Sequence, residues 1–228
     1  MKERHLKKQK NINGKNNQKL NTFLKYILLI NLISFNIFAS EQINSTNHTQ
    51  SIVLGSGCFW GAEKGYESLP GVIEAISGYA DGRGVRPVYQ EIIQLKNKFN
   101  PNNHAEVVKV VFNSQLISLE TLLEHYFESH DPTQLNRQGN DIGTQYRSSI
   151  FTSNTSEMKI INDYIIELNQ SKIYLNPIVT NVEKETIFYL AENYHYDYFE
   201  QNKNDPYCSV IIAPKVKKLI DSKSSFLK

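Results

Sequence analysis

The chain has 228 residues, 40% of them hydrophobic and 11% aromatic, which suits one packed domain. Its formal charge of +2 belongs to the first forty residues, where eight Lys and Arg face a single acid, Glu3; the remainder holds 17 basic against 22 acidic side chains, a charge of −5. Those cations are scattered, which argues against a nucleic-acid surface, and two cysteines 150 positions apart with no histidine pair at ligand spacing argue against a metal site.

Residues 1–40 have the order of a secretory signal: a basic stretch to Lys25, an apolar run from Tyr26 to Ala39, then small Ser40. The run counts fourteen residues and falls short of the roughly 20 that a helix needs to cross a bilayer core. Ile37 and Phe38 make a poor cleavage site, so an uncleaved N-terminal membrane anchor is the alternative to a signal peptide. The expected location is exported, periplasmic or secreted, or else membrane-anchored. Residues 41–50 are a polar linker, and residues 51–228 form the domain.

Ser51 to Leu54 is a β-branched run that ends in Gly-Ser-Gly, and Phe59 to Leu69 has helical length before Pro70-Gly71 stops it. Val72 to Tyr79, Val88 to Leu95 and His104 to Phe112 read as strands. Ser118 caps a helix over Leu119 to Ser129, with Leu119, Leu122, Leu123, Tyr126 and Phe127 on one face. A polar loop, Asp131 to Thr144, precedes a strand over Tyr146 to Thr152. A helix then follows Thr155, with Met158, Ile161, Ile165, Ile166 and Leu168 inward, and Ala191 to Phe199 is a shorter aromatic-rich helical stretch. Strands and helices mix without strict alternation, which predicts an α+β two-layer sandwich.

Cys58 falls at the turn between the first strand and the first helix, where unpaired amides and the helix dipole favour a thiolate and lower its pKa. Gly55 and Gly57 permit a sharp turn, and Phe59 and Trp60 can wall an apolar pocket. Taken locally, Cys58 reads equally well as a small buried hydrophobe. A cysteine hydrolase with His104 or His195 as base, and a binding module bridged by Cys58 and Cys208, are the rival readings.

Read together, Gly57-Cys58-Phe59-Trp60-Gly61, Ser77-Gly78-Tyr79, Tyr89, His104-Ala105-Glu106-Val107 and Gly139-Asn140-Asp141-Ile142-Gly143-Thr144-Gln145-Tyr146-Arg147-Ser148 resemble the type A peptide-methionine sulfoxide reductases, in order and spacing, from about Ile52 to Tyr207. The resemblance implies an α+β sandwich with a mixed sheet and a ferredoxin-like core. It also implies reduction of the S epimer of methionine sulfoxide, free or in proteins, with no metal or organic cofactor and with electrons from thioredoxin or another dithiol. A monomer is expected.

By the same resemblance Cys58 is the nucleophile that passes through a sulfenic acid, and Glu106 is the acid, which needs a carboxyl kept neutral by an apolar surround. On strand alternation alone Glu106 reads as an outward residue. Tyr89 and Tyr146 would hydrogen-bond the sulfoxide oxygen, and Phe59 with Trp60 would enclose its methyl group. Asp141 is either part of the chemistry or a turn residue. His195 is followed by Tyr196 where the family has Gln, and is read as part of an aromatic cluster. Asn103 stands where many members have Gly; Asn tolerates a left-handed backbone better than other residues, so the turn is expected to survive. Cys208 is the candidate resolving cysteine; the glycine-free Ser-Val-Ile-Ile-Ala-Pro after it reads instead as a docked strand that would bury it and leave regeneration to an external thiol.

Overall fold

The computed structural model describes residues 48–84 and 86–226, so the basic and apolar leader and most of the linker lie outside the described residues. Strand β1 (Thr49–Ser56) runs into helix α1 (Phe59–Glu67), then β2 (Val72–Ala80), a single-turn helix α2 (Tyr89–Ile92), β3 (Ala105–Asn113) and helix α3 (Leu119–Ser129). A two-stranded hairpin, β4 (Arg137–Gln138) and β5 (Asp141–Ile142), leads to β6 (Ser148–Thr152), helix α4 (Thr155–Ser171), β7 (Asn181–Lys184) and β8 (Tyr189–Leu190). A short helix α5 (Tyr198–Gln201) and a long one, α6 (Ala213–Phe226), finish the chain.

The main sheet has the order β7-β6-β1-β3-β2-β8. Its four central strands, β6, β1, β3 and β2, are each antiparallel to the next, and β1-α1-β2-β3-α3-β6 is the ferredoxin-like core; β7 adds in parallel to β6, which makes the sheet mixed. The larger core lies between the sheet and the helices, with Ile52, Leu54, Val108, Val110, Phe112 and Ile150 meeting Leu122, Leu123 and Tyr126. Val53, Ala80, Ala105, Val107 and Phe151 form a second cluster with Phe188. Because both faces are covered, Ile52, Val53 and Leu54 are all buried in succession rather than alternating.

Caps and breakers act where the sequence places them. Ser118 accepts the Thr121 amide at the start of α3, and Asn154, one residue before Thr155, accepts the Ser156 and Glu157 amides of α4. On α4 only Ile161 is fully buried and Ile166 is exposed, so the helix covers the sheet with a narrower stripe than its apolar residues suggest.

Three segments depart from expectation. Val88 to Leu95 is not a strand: it forms α2 and a 3-10 turn at Leu95–Asn97, because the Glu192 carboxylate caps the Tyr89 amide and Asn103 Nδ2 donates to the Ile92 carbonyl. Asn103 is not left-handed; its side chain, not its backbone, shapes this turn. The stretch from Ala191 to Phe199 breaks into a 3-10 turn (Asn193–His195) and α5 at Asp197, whose φ is 49°. Cys208 to Ile212 is a π-helical turn running into α6 rather than a strand. Cys208 and Ile212 of this turn and Val216 and Leu219 of α6 are buried and recur at helical spacing.

Candidate active site

Gly57 makes the turn from β1 to α1 with φ at 93°, and a Cβ there would stand 2.7 Å from Cβ of the buried Gln138. Glycine is therefore required twice over, by conformation and by space. Gln138 fixes the β4-β5 hairpin beside this turn by pairing its amide with the backbone of Asp131. The turn delivers Cys58 to the N-cap of α1 without a side-chain cap of its own.

Glu106 shares the helix-facing side of β3 with Val108 and Val110, so it points under the start of α1 and is 1% exposed rather than outward. Its Oε2 accepts the Phe59 amide at 3.2 Å, and Oε1 accepts no hydrogen bond among the described residues. Burial, with a smaller contribution from the Asp141 carboxylate, pushes its pKa up to about 8. At neutral pH this carboxyl carries its proton.

Burial and the nearby Glu106 carboxyl push the Cys58 thiol well above its ordinary value, and the Trp60 amide and Tyr207 hydroxyl offset this only partly. The low pKa expected from the helix dipole is thus overturned, because desolvation outweighs the amides at the helix start. In the resting protein Cys58 is a neutral thiol.

The phenols of Tyr89 and Tyr146 are raised by burial and then by Glu106, and both also feel Cys58, which puts nucleophile, acid and phenols in one electrostatic neighbourhood. Tyr89 leads α2, and Tyr146 closes the 3-10 turn Thr144–Tyr146. Arg147 clamps that turn through the carbonyls of Asn103 and Thr144 and through Asp81.

Asp141 reaches the site through Tyr207, whose hydroxyl donates to Asp141 Oδ2 at 2.7 Å and whose ring lines the same small cleft as Cys58. Sequence reasoning did not single out Tyr207; its one signal was adjacency to Cys208. Trp60 stacks on Tyr198 with ring centres 3.7 Å apart, and its indole N–H donates to Nδ1 of His195 at 2.9 Å. His195 is fully buried, and burial lowers its pKa to about 4, so the ring is neutral and able to accept. Nδ1 being engaged by Trp60, His195 is no base for Cys58, and it belongs to the aromatic cluster with Phe59 and Tyr89. Glu192, also missed, ties this cluster together by accepting the Tyr89 amide and the Tyr79 hydroxyl.

Cys208 is a free thiol, fully buried among Phe199, Ile212 and Val216, and Cys58 is likewise free, so no structural bridge joins them. Among the described residues no group of three or more His, Cys, Asp or Glu side chains could hold a metal ion.

A cysteine at a strand-to-helix turn, with a buried protonated carboxyl and two phenols around it on a ferredoxin-like sandwich, defines a thiol oxidoreductase. The model of the family "Peptide methionine sulfoxide reductase" matches residues 50–226, and the chain belongs to that family. The enzyme of Trichodesmium erythraeum is 46% identical over 74% of this chain and 93% of its own length, and that of Polynucleobacter asymbioticus 43% identical over 72% and 84%. Among solved structures, reduced Mxr1 from Saccharomyces cerevisiae superposes with a TM-score of 0.63 at 30% identity, covering 71% of this chain and 90% of that one. Methionine sulfoxide reductase A of Corynebacterium diphtheriae gives 0.59 at 34% identity, covering 68% and 76%. The activity is that of a peptide-methionine (S)-S-oxide reductase.

Proposed function

We propose that reduction of the S epimer of methionine sulfoxide runs on Cys58 and Glu106 as a pair. The observation that carries this reading is the buried Glu106 carboxyl held under the start of α1 by the amide of Phe59, the residue after Cys58. Glu106 gives its proton to the sulfoxide oxygen as the Cys58 sulfur attacks the sulfoxide sulfur, and it recovers a proton from the thiol. The bond between the two sulfurs then breaks as the hydroxyl moves from the substrate sulfur to the Cys58 sulfur: the substrate S–O bond is lost and a Cys58 S–O bond made. Cys58 is oxidised by two electrons to a sulfenic acid, and the substrate is reduced by two to methionine, which leaves. Tyr89 and Tyr146 orient the sulfoxide oxygen, Phe59 and Trp60 enclose the methyl group, and Asp141 holds Tyr207 against the nucleophile.

For the return step we propose an external dithiol such as thioredoxin: one thiol displaces water from the sulfenic acid, and the second resolves the mixed disulfide. Cys58 packs against the same cluster that holds Cys208, and the ground for preferring this route is the glycine-free, helical packing of the segment that carries Cys208. The substrates are oxidised proteins and free methionine sulfoxide.

We propose export for the whole chain, on the strength of the basic stretch and apolar run of residues 1–40. Fractionation with N-terminal sequencing separates a cleaved signal from a retained anchor. The chemical reading is tested by incubating the chain with each methionine sulfoxide epimer and dithiothreitol and measuring methionine. Release from the S epimer alone is expected; consumption of neither by folded protein would overturn it.

A further inference from the structure

A neutral histidine donates from one ring nitrogen and accepts at the other, and the surroundings of His195 decide which does which. The Trp60 indole nitrogen can only donate, and it lies 2.9 Å from Nδ1 of His195. Burial lowers the ring's pKa to about 4, so its single proton at neutral pH sits on Nε2. Nε2 is buried and makes no hydrogen bond among the described residues, and Oε2 of Glu192 stands 3.7 Å from it. The opposite tautomer would set two N–H groups against each other at Trp60 and turn a bare lone pair toward the carboxylate.

Glu192 is bonded on its other side as well. Its Oε1 accepts the Tyr89 amide at 2.9 Å, at the start of α2, and its Oε2 accepts the Tyr79 hydroxyl at 2.7 Å. Burial raises the Glu192 carboxyl, but the Tyr89 amide and the Tyr79 hydroxyl more than offset this and hold its pKa below the ordinary value. The group is therefore a carboxylate at neutral pH.

We infer that Glu192 is a positioning residue that fixes Tyr89 and Trp60 relative to one another, Tyr89 directly and Trp60 through the tautomer of His195. The inference rests on the proposed function, in which Tyr89 orients the sulfoxide oxygen and Trp60 encloses the methyl group. Exchanging oxygen and methyl about the sulfur converts one epimer into the other, so the relative placement of these two walls is what a stereospecific site has to hold constant. One carboxylate bonded to the frame of both walls does this. Glutamine has the same shape but turns an N–H₂ donor against either the Tyr89 amide or the His195 Nε2–H, so it cannot serve both ends.

Long-range proton–nitrogen NMR of the isotope-labelled full chain reads the His195 tautomer without turnover. Protonated Nε2 is expected; protonated Nδ1 overturns the proposal. In Glu192→Gln, kcat/KM for the S epimer with dithiothreitol should fall about ten- to a hundredfold, through a higher KM as well as a lower kcat. The emission of Trp60, the only tryptophan of the chain, should shift with it. Ile161→Ala, a core substitution on α4, is the control: it lowers thermal stability and should leave KM and Trp60 emission native, which separates lost position from lost stability. Native kcat/KM and native emission in folded Glu192→Gln overturn the proposal. Should that variant not fold, the tautomer of the native chain decides. Tautomer and emission are read without sulfoxide, so they stand or fall apart from the reductase reading, which fails if the native chain reduces neither epimer.

Discussion

The Phe59 amide donates to Oε2 of Glu106 across 3.2 Å, so the residue that follows the nucleophile is bonded to the acid. Cys58 and Glu106 lie 48 positions apart in sequence, yet one hydrogen bond sets their spacing. It leaves Oε1 free to act as the proton donor.

Glu106→Gln should keep the fold and lose roughly 10²–10⁴-fold in kcat/KM with dithiothreitol as reductant. In the native protein kcat/KM should decline as pH rises through about 8, where Glu106 loses its proton. Stability carries the same signature. The folded carboxyl holds a proton that the unfolded chain loses near its ordinary 4.5, so stability is greatest below that pH and drains away up to about 8. Glu106→Gln should flatten that slope in thermal melts recorded across the window; an unchanged slope would place the titration elsewhere.

His195→Ala removes the acceptor of the Trp60 indole and should raise KM more than it lowers kcat, since Trp60 encloses substrate and His195 acts only through it. A stability loss of about 1–3 kcal/mol from the orphaned, partly buried N–H is expected. In the native protein Trp60 emission should hold steady from neutral pH downward and change as pH falls through about 4, when His195 takes a proton and can no longer accept.

Cys208→Ala should retain most turnover with a small thiol, because the residue is enclosed by Phe199, Ile212 and Val216. A burst of one methionine per chain in single-turnover assays without reductant should likewise persist. Loss of multiple turnover in a folded variant would make the Cys58–Cys208 disulfide obligatory.

Gly57→Ala should cost about 1–3 kcal/mol, from the left-handed backbone and the approach of Gln138. Gly139→Ala, also at positive φ but with nothing within 4 Å of the added Cβ, should cost less in the same melts. Equal losses would mean that contact with Gln138 contributes nothing.

The sandwich was legible because its signals are local: the valine run of β3, the Ser118 cap of α3, and the Gly-Ser-Gly turn before Cys58. Val88 to Leu95 misled because its decisive interaction comes from Glu192, about a hundred residues later, and no periodicity records a distant cap. The segment after Cys208 misled because a short apolar run suits either a strand or a helix, and the arbitrating residues Val216 and Leu219 lie beyond Pro214. Within the site, Cys58, Glu106, Tyr89 and Tyr146 were reached through family resemblance, whereas Tyr207 and Glu192 act through bonds that only the folded chain closes.

The neutral state of the Cys58 thiol has a bearing on survival in the surroundings where methionine is damaged. Peroxides and hypohalous acids react with thiolates far more readily than with thiols, so a nucleophile that rests protonated is a poor target for them. On the mechanism proposed above, the sulfur is activated as a sulfoxide oxygen takes the Glu106 proton and frees that carboxylate to accept the thiol proton. A half-buried cysteine whose thiol is pushed up by desolvation and by Glu106 is in this respect suited to an enzyme that works where methionine is being oxidised.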